Sequence, residues 1–428
     1  MTLRKLIISF IALLLLVGAG FAYWYFMMGH ASIPINDQPR TDNPGGFQPL
    51  NPDTRTTPSG TSGTTLSPGG ATTKPATTGK PPVLRLLSNM PVGGFSASST
   101  ASTTAVVWVD RGRGNVYQAS DANLQVTTLS NTVVPKIFNA VWNKNLTAFV
   151  GSLYEDGNLT PTNIYAELQK QRGATTTSTS ITPYELQGKN IPGTIIGYAA
   201  SPDKTRLFIM INENGNGVGY ISAFNGTGMT RLFSTPLTQV SVDWPSENII
   251  SIITKGSAIY NGFLYFVHPK TGTWTRVLGP VTGLSAVVSH DGKNVLYSAT
   301  TDANSVRTAV YSVAAATSTD ALVRTIADKC TWGRLYTTLV YCGVPADLAA
   351  ATYPDDWYYG NLATSDKIWQ IDATTGEVKL ISDVIDQADR TIDTYRPGTD
   401  PRDKYLYFMN KSDLSLWSLD LTKSTGGK

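Results

Sequence analysis

The chain has 428 residues with 10% aromatic and only 15% charged residues, and its 34 Lys and Arg against 31 Asp and Glu leave a formal net charge of +3. Mixed signs without a basic stripe exclude a nucleic-acid binder, and 2 cysteines lacking CxxC spacing or a neighbouring His exclude a thiolate metal site. The length exceeds what one compact core usually supports, which points to a repeat whose units bury apolar surface only against their neighbours.

Residues 1–5 read as a cytoplasmic N-terminus. Residues 6–28 form an uncharged apolar run, long enough to cross a hydrocarbon core of about 30 Å as one helix. Arg4 and Lys5 precede it and no basic residue follows until Arg40, so the positive-inside rule places the rest of the chain outside. The expectation is a retained signal-anchor, because the run continues past Gly20, Phe21 and Ala22, the one candidate cleavage site; a cleaved signal peptide is the alternative. Residues 29–82 are rich in Thr, Ser, Pro and Gly and cannot bury enough apolar surface to offset their chain entropy. They read as a disordered linker that would span roughly 40 Å as a coil.

From residue 83 to 422 a β pattern recurs about every fifty residues. Tight polar turns at YAASPDK (198–204), VVSHDGK (287–293) and YRPGTDPRDK (395–404) are each followed by a β-rich run. A second hairpin turns at Thr-Gly in FVHPKTGTWTRVL (from Phe266) and WQIDATTGEVKLI (from Trp369). Four strands per unit and inner strands starting near Gly94, Ile137, Ile195, Val240, Leu284, Cys330 and Ile392 predict an all-β, seven-bladed β-propeller. Six or eight blades are the alternative counts, since the unit at residues 137–186 is the least regular, and a two-sheet sandwich is the alternative fold. The last unit runs out after three strands, and VLRLLS (83–88) is predicted to supply the fourth and close the ring. Residues 423–428 read as a flexible tail.

Within the sixth unit, Cys330 and Cys342 lie on consecutive strands of a hairpin that would set them directly opposite, within disulfide reach. A disulfide fits an oxidising, extracytoplasmic compartment; two buried thiols are the alternative. Residues 346–366 interrupt this unit between its second and third strands, on the face that also carries the connections between blades. The insertion holds Tyr353, Asp355, Asp356, Trp357, Tyr358 and Tyr359, and these are the candidate binding residues, because aromatic rings supply contact area at small entropy cost. Folding of the same rings onto the blade as a plug is the alternative.

No catalytic constellation stands out. The three histidines, His30, His268 and His290, lack a Ser and Asp arrangement, no GxSxG elbow occurs, and His268 and His290 read as exposed turn residues. Asp383, Asp386 and Asp389 lack the spacing and Gly of a calcium loop and read as a solvated connector. No metal and no cofactor are expected.

The turns SPDK (201–204) and SHDGK (289–293), each followed by a strand and later by a Thr-Gly hairpin, resemble the TolB-like and WD40-like propeller repeats of bacterial envelope proteins. The N-terminal α/β domain of TolB and the Gly-His and Trp-Asp signatures of WD40 repeats are missing, and the echo of quinone-binding propellers at IDATTGEV (from Ile371) lacks their recurring Trp. The resemblance implies a scaffold that binds proteins or peptides in the envelope. The expectation is therefore a single-pass membrane protein whose propeller, in the periplasm or at the cell surface, binds a protein or peptide partner or a wall glycan. The alternative is a glycan-directed envelope hydrolase or lyase using acidic residues at the channel.

Overall fold

The repeat is set by local turn chemistry. In blade three the Ser201 hydroxyl accepts the Arg206 N–H at 2.9 Å and donates to Asp203 at 2.5 Å, tying the two ends of one turn together. Ser289 does the same in blade five, accepting from Asn294 at 3.0 Å and donating to Asp291 at 2.7 Å. Asp400 takes the part in blade seven, accepting the N–H groups of Lys404 and Tyr405 at 2.8 and 2.7 Å. The fourth residue of each turn is left-handed: φ is +55° at Lys204, +73° at Gly292 and +51° at Asp403. Leu146 repeats this at +56° in blade two, where the Asn143 side chain accepts the Thr147 and Ala148 N–H groups. A type I turn followed by a left-handed residue matches the twist of an antiparallel hairpin, so each motif forces its two flanking strands to pair.

The computed structural model describes residues 83–423 apart from 124, 156, 159, 172–181 and 303–304. The predicted N-terminus, the span at 6–28, the linker at 29–82 and the tail at 424–428 lie outside the described residues. Among the described residues no helix is long and apolar enough to cross a membrane.

Seven four-stranded antiparallel sheets are present. Their innermost strands are Val92–Ser99, Ile137–Trp142, Thr194–Ala200, Val240–Ser246, Ser285–Val288, Cys330–Trp332 and Thr394–Thr399. In six blades the strands follow one another outward in chain order. In the seventh, the inner three come from the C-terminal end and the outermost is Leu84–Ser88, paired with Leu416–Asp420 in the register Leu84 to Leu419, Arg85 to Ser418 and Leu86 to Trp417. The chain therefore forms a seven-bladed propeller whose ring is closed by its own first described strand.

Each pair of neighbouring blades encloses its own apolar core. The closing strand serves two of them: Leu84 packs with Ile368, Phe408 and Trp417 between blades six and seven, and Leu87 packs with Trp108, Tyr407 and Leu416 between blades seven and one. Blades one and two approach so closely that a Cβ on Gly94 would lie 2.3 Å from the Ala140 carbonyl oxygen, which only glycine permits. Cys330 and Cys342 face each other in the register of blade six and form a disulfide with a Cα separation of 4.1 Å. Asp383 precedes a short helix, Val384–Ala388, and pairs with Lys367 at 2.5 Å.

Because the two leucines of the closing strand fill separate cores, Leu84→Ala and Leu87→Ala should each cost about 2–4 kcal/mol, and the double variant should lose the sum to within about 0.5 kcal/mol. Urea denaturation of the three variants measures this; a double variant no weaker than either single one would contradict two-sided closure.

Candidate functional site

The insertion begins after Leu339–Pro345 and ends at Asp366–Asp372, and it folds into a short helix, Asp355–Tyr359. The structure divides its six candidate residues into two sets. Tyr353 and Trp357 are buried, in a core of their own with Val306 and Ile326. The Tyr353 hydroxyl donates to the Ala349 carbonyl at 2.9 Å, and its own carbonyl accepts the Thr300 hydroxyl at 2.7 Å. Asp356 is turned back onto its own segment, where it accepts the Thr352 N–H at 2.7 Å. Asp355, Tyr358 and Tyr359 border a cavity of about 630 Å³ at the channel mouth over blades four and five.

Trp357 is anchored by a buried ionic cluster. The Nζ of Lys329, whose side chain is 1% exposed, donates to Asp366 and to Asp393, both at 2.6 Å, and its third proton goes to the Thr364 hydroxyl. All three ammonium hydrogens are thereby used. The Thr364 hydroxyl lies 2.8 Å from Asp366 and 3.0 Å from Asp393 and has one proton for the two of them. The Trp357 indole N–H donates to Asp393 at 2.9 Å, and its ring stands 5.4 Å from the Lys329 Nζ and 4.9 Å from the Lys411 Nζ. Burial lowers the pKa of Lys411, which Asp393 partly restores. Lys329 ends the turn Ala327–Lys329 between blades five and six, Asp366 ends the insertion, and Asp393 precedes the inner strand of blade seven. One ammonium, on the connection into blade six, thus joins blades six and seven and seats the insertion.

The cavity beside it is framed by two loops from blades that are not neighbours. The Asp355 carboxylate of the insertion accepts the Ala258 N–H at 2.6 Å, which fastens it to the blade-four loop carrying Ile259 and Tyr260. The Tyr358 hydroxyl donates to Asp328 at 2.7 Å, and the Ser285 hydroxyl donates to the same carboxylate. The Tyr358 ring remains 40% exposed while its hydroxyl end is enclosed, and burial, then the Asp328 charge, holds its pKa well above the ordinary value. Tyr260 and Tyr359, which line this opening, stand 70% and 79% exposed, and Ile259, next to Tyr260 in the loop, stands 75% exposed. Both carboxylates at the cavity, Asp328 and Asp355, are occupied by protein donors and serve to hold the loops. Among the described residues no group of three or more His, Cys, Asp or Glu could hold a metal ion.

On the opposite face, Leu335 and Tyr336 are exposed beside an open groove of about 760 Å³. His290, read as an exposed turn residue, is instead partly buried, and burial, then the charge of Arg334, pushes its pKa down to about 4. His268 stays in its Thr-Gly turn, its Nδ1 accepting the Lys270 N–H at 3.3 Å. Sequence reasoning missed Ile259 and Tyr260, although two large apolar residues inside the polar loop KGSAIYNG (255–262) were a signal that could have found them.

The strand order and the terminal closure define the class of the protein, a seven-bladed β-propeller with an insertion overhanging one mouth of its channel. No protein-family model and no curated protein matches the chain. Solved structures similar to it in fold include TolB from Acinetobacter baumannii, at 11% identity and a TM-score of 0.39 over 76% of this chain and 64% of that one. An oligogalacturonate lyase in complex with manganese aligns at 11% identity and a TM-score of 0.46, over 78% and 98% of the two chains. The β-propeller domain of the Trilobed protease from Pyrococcus furiosus aligns at 13% identity and a TM-score of 0.45, over 79% and 99%. These likenesses concern the fold alone and assign no role to any residue.

Lys329→Met would leave Asp366 and Asp393 buried without their counter-charge, so it should cost about 3–5 kcal/mol in urea denaturation and loosen the Trp357 environment in tryptophan fluorescence. An unchanged denaturation midpoint would show that the cluster does not hold the insertion.

Proposed function

We propose that this protein is a membrane-tethered, extracytoplasmic binding module that presents the insertion-bearing face of its propeller to a protein or peptide partner. The observation that carries the reading is the set of exposed Tyr260, Tyr358 and Tyr359 lining a cavity of about 630 Å³, with exposed Ile259 next to Tyr260 in the same loop. Large apolar side chains clustered at the surface, with a concave site between them, are what a partner buries. Tyr brings contact area on few rotatable bonds, which lowers the entropy lost on binding. The supporting loops are fixed beforehand by the Asp355 to Ala258 and Tyr358 to Asp328 hydrogen bonds, so little ordering is left for the partner to induce. Polar groups lining the cavity, among them Gln239, Lys255 and Ser257, offer hydrogen bonds that fix orientation.

The membrane tether rests on the apolar run at 6–28, the preceding Arg4 and Lys5 and the Thr- and Pro-rich stretch at 29–82. Hydrolysis or lysis of a glycan finds less support, since Asp328 and Asp355 are both engaged by protein donors. A wall glycan as ligand is an outcome that the same experiment separates from a protein partner.

The test uses surface substitutions, because deletion of residues 349–360 would also remove buried Trp357. Tyr359→Ala combined with Ile259→Ser should keep the wild-type melting temperature and weaken partner binding by about 2 kcal/mol, roughly thirtyfold. Affinity purification of full-length protein from detergent-solubilised membranes, followed by titration of the recovered protein, measures it. Equal recovery by wild type and variant, or recovery of glycan alone, refutes the reading.

A further inference from the structure

A second site lies in the central channel, toward the face that carries the turns between first and second strands. Lys204 from that turn of blade three, Arg334 from that turn of blade six and Arg396 from the inner strand of blade seven all line one cavity of about 400 Å³. That volume lies within the range of small-molecule sites.

The three cations are incompletely matched by the protein. Lys204 crosses to blade one and donates its Nζ to the Ser96 hydroxyl at 2.6 Å, and Arg396 donates to the Asn139 side-chain oxygen of blade two at 2.9 Å. Neither acceptor carries a charge. The backbone N–H of Arg334 goes to Asp403 at 2.8 Å, while its guanidinium has no hydrogen bond or ion pair among the described residues. Burial lowers the pKa of the guanidinium and the charges of Asp243, Asp403 and Asp400 partly restore it, although no carboxylate oxygen pairs with it among the described residues. Asp403 also accepts the N–H groups of Leu335 and Tyr336, both at 2.9 Å, and Asp400 accepts the Ser99 hydroxyl at 2.6 Å besides its turn amides. Asp243 is the one carboxylate lining the cavity, and burial raises its pKa. Burial, then the charge of Arg334, lowers Lys204 to about 8, and His290 nearby is held neutral at neutral pH.

One further feature points to a ligand. The hydroxyl of Thr399, a residue only 6% exposed, lines the same cavity and has no hydrogen-bond partner. Buried hydroxyls are ordinarily satisfied.

We propose that this cavity binds a small dianion, a dicarboxylate or a phosphate group, with Arg334 supplying its free guanidinium fork, Lys204 and Arg396 flanking, and the Thr399 hydroxyl donating. Three cations and a single carboxylate, Asp243, line the cavity, and a guanidinium fork matches the geometry of carboxylate and phosphate oxygens. The site is separate from the insertion-bearing face and does not depend on the function assigned to that face.

Isothermal titration of the full-length protein in detergent, with succinate and with inorganic phosphate as probes, tests the proposal. Wild type should bind at least one of them, and preference between the two tells a carboxylate site from a phosphate site. Arg334→Gln should weaken binding roughly tenfold or more, and Thr399→Val should weaken it as well. Lys293→Gln, at an exposed turn lysine outside the channel, should bind as wild type. Arg334→Gln should not lower the ligand-free melting temperature, because the guanidinium it removes bonds to nothing; if it fails to fold, Thr399→Val carries the test alone. Absence of binding by wild type to both probes, or wild-type affinity in the cavity variants, overturns the proposal.

Discussion

Circular closure is the constraint on which the rest of the molecule depends. A propeller has no central core; it has a ring of cores between adjacent sheets, and removing one partner sheet uncovers a face on each side. In this protein the closing element is the strand Leu84–Ser88, which satisfies the edge of Leu416–Asp420 and places a leucine in each of the two flanking cores. The edge would otherwise offer unpaired N–H and C=O groups to any passing strand. Because the closing strand comes from the opposite end of the propeller sequence, the last blade ties the two ends of the ring together.

Within that ring, the arc through blades six and seven is reinforced by charge. A buried ammonium is tolerated only when its donors and its charge are both matched, and Lys329 meets both conditions with Asp366, Asp393 and Thr364. The insertion gains its fixed position from the same cluster, since Trp357 reaches Asp393 through its indole N–H. The disulfide between Cys330 and Cys342 lies immediately after Lys329, so covalent and ionic restraints act on one short stretch of chain.

The architecture was legible because its signals are local. Turn motifs such as Ser201 to Lys204 form their hydrogen bonds within a few residues, so the inner strands could be placed from them: Ile137, Val240 and Cys330 begin where expected, and Val92, Thr194, Ser285 and Thr394 begin within two residues of Gly94, Ile195, Leu284 and Ile392. The facing cysteines followed from the same hairpin geometry. The insertion was found as a segment, but the division of its aromatics was not: a Trp beside two Tyr reads alike whether it is anchored inward or displayed. What holds Trp357 inward is Asp393 on another blade together with Val306 and Ile326, and what frames the cavity is a loop of blade four. Lys204, Arg334 and Arg396 escaped notice for the same reason, since their meeting is a product of ring closure and has no footprint in local sequence.

The two mouths of the channel consequently differ in chemistry. At the mouth under the insertion, tyrosines line a cavity whose carboxylates are already bonded to protein donors, and the surface is suited to burying apolar area. Toward the other mouth, cations face the channel beside carboxylates whose oxygens are held by turn amides. This asymmetry grows from the fold itself. Turns between first and second strands are tied by a side-chain acceptor, Ser201, Ser289 and Asn143 in three blades and Asp400 in blade seven, while Asp403 holds three amides of the blade-six turn, whereas loops between second and third strands carry no such requirement and are free to lengthen. A propeller of this design can hold a large partner over one opening and a small charged ligand in the channel below, with a separate set of residues for each.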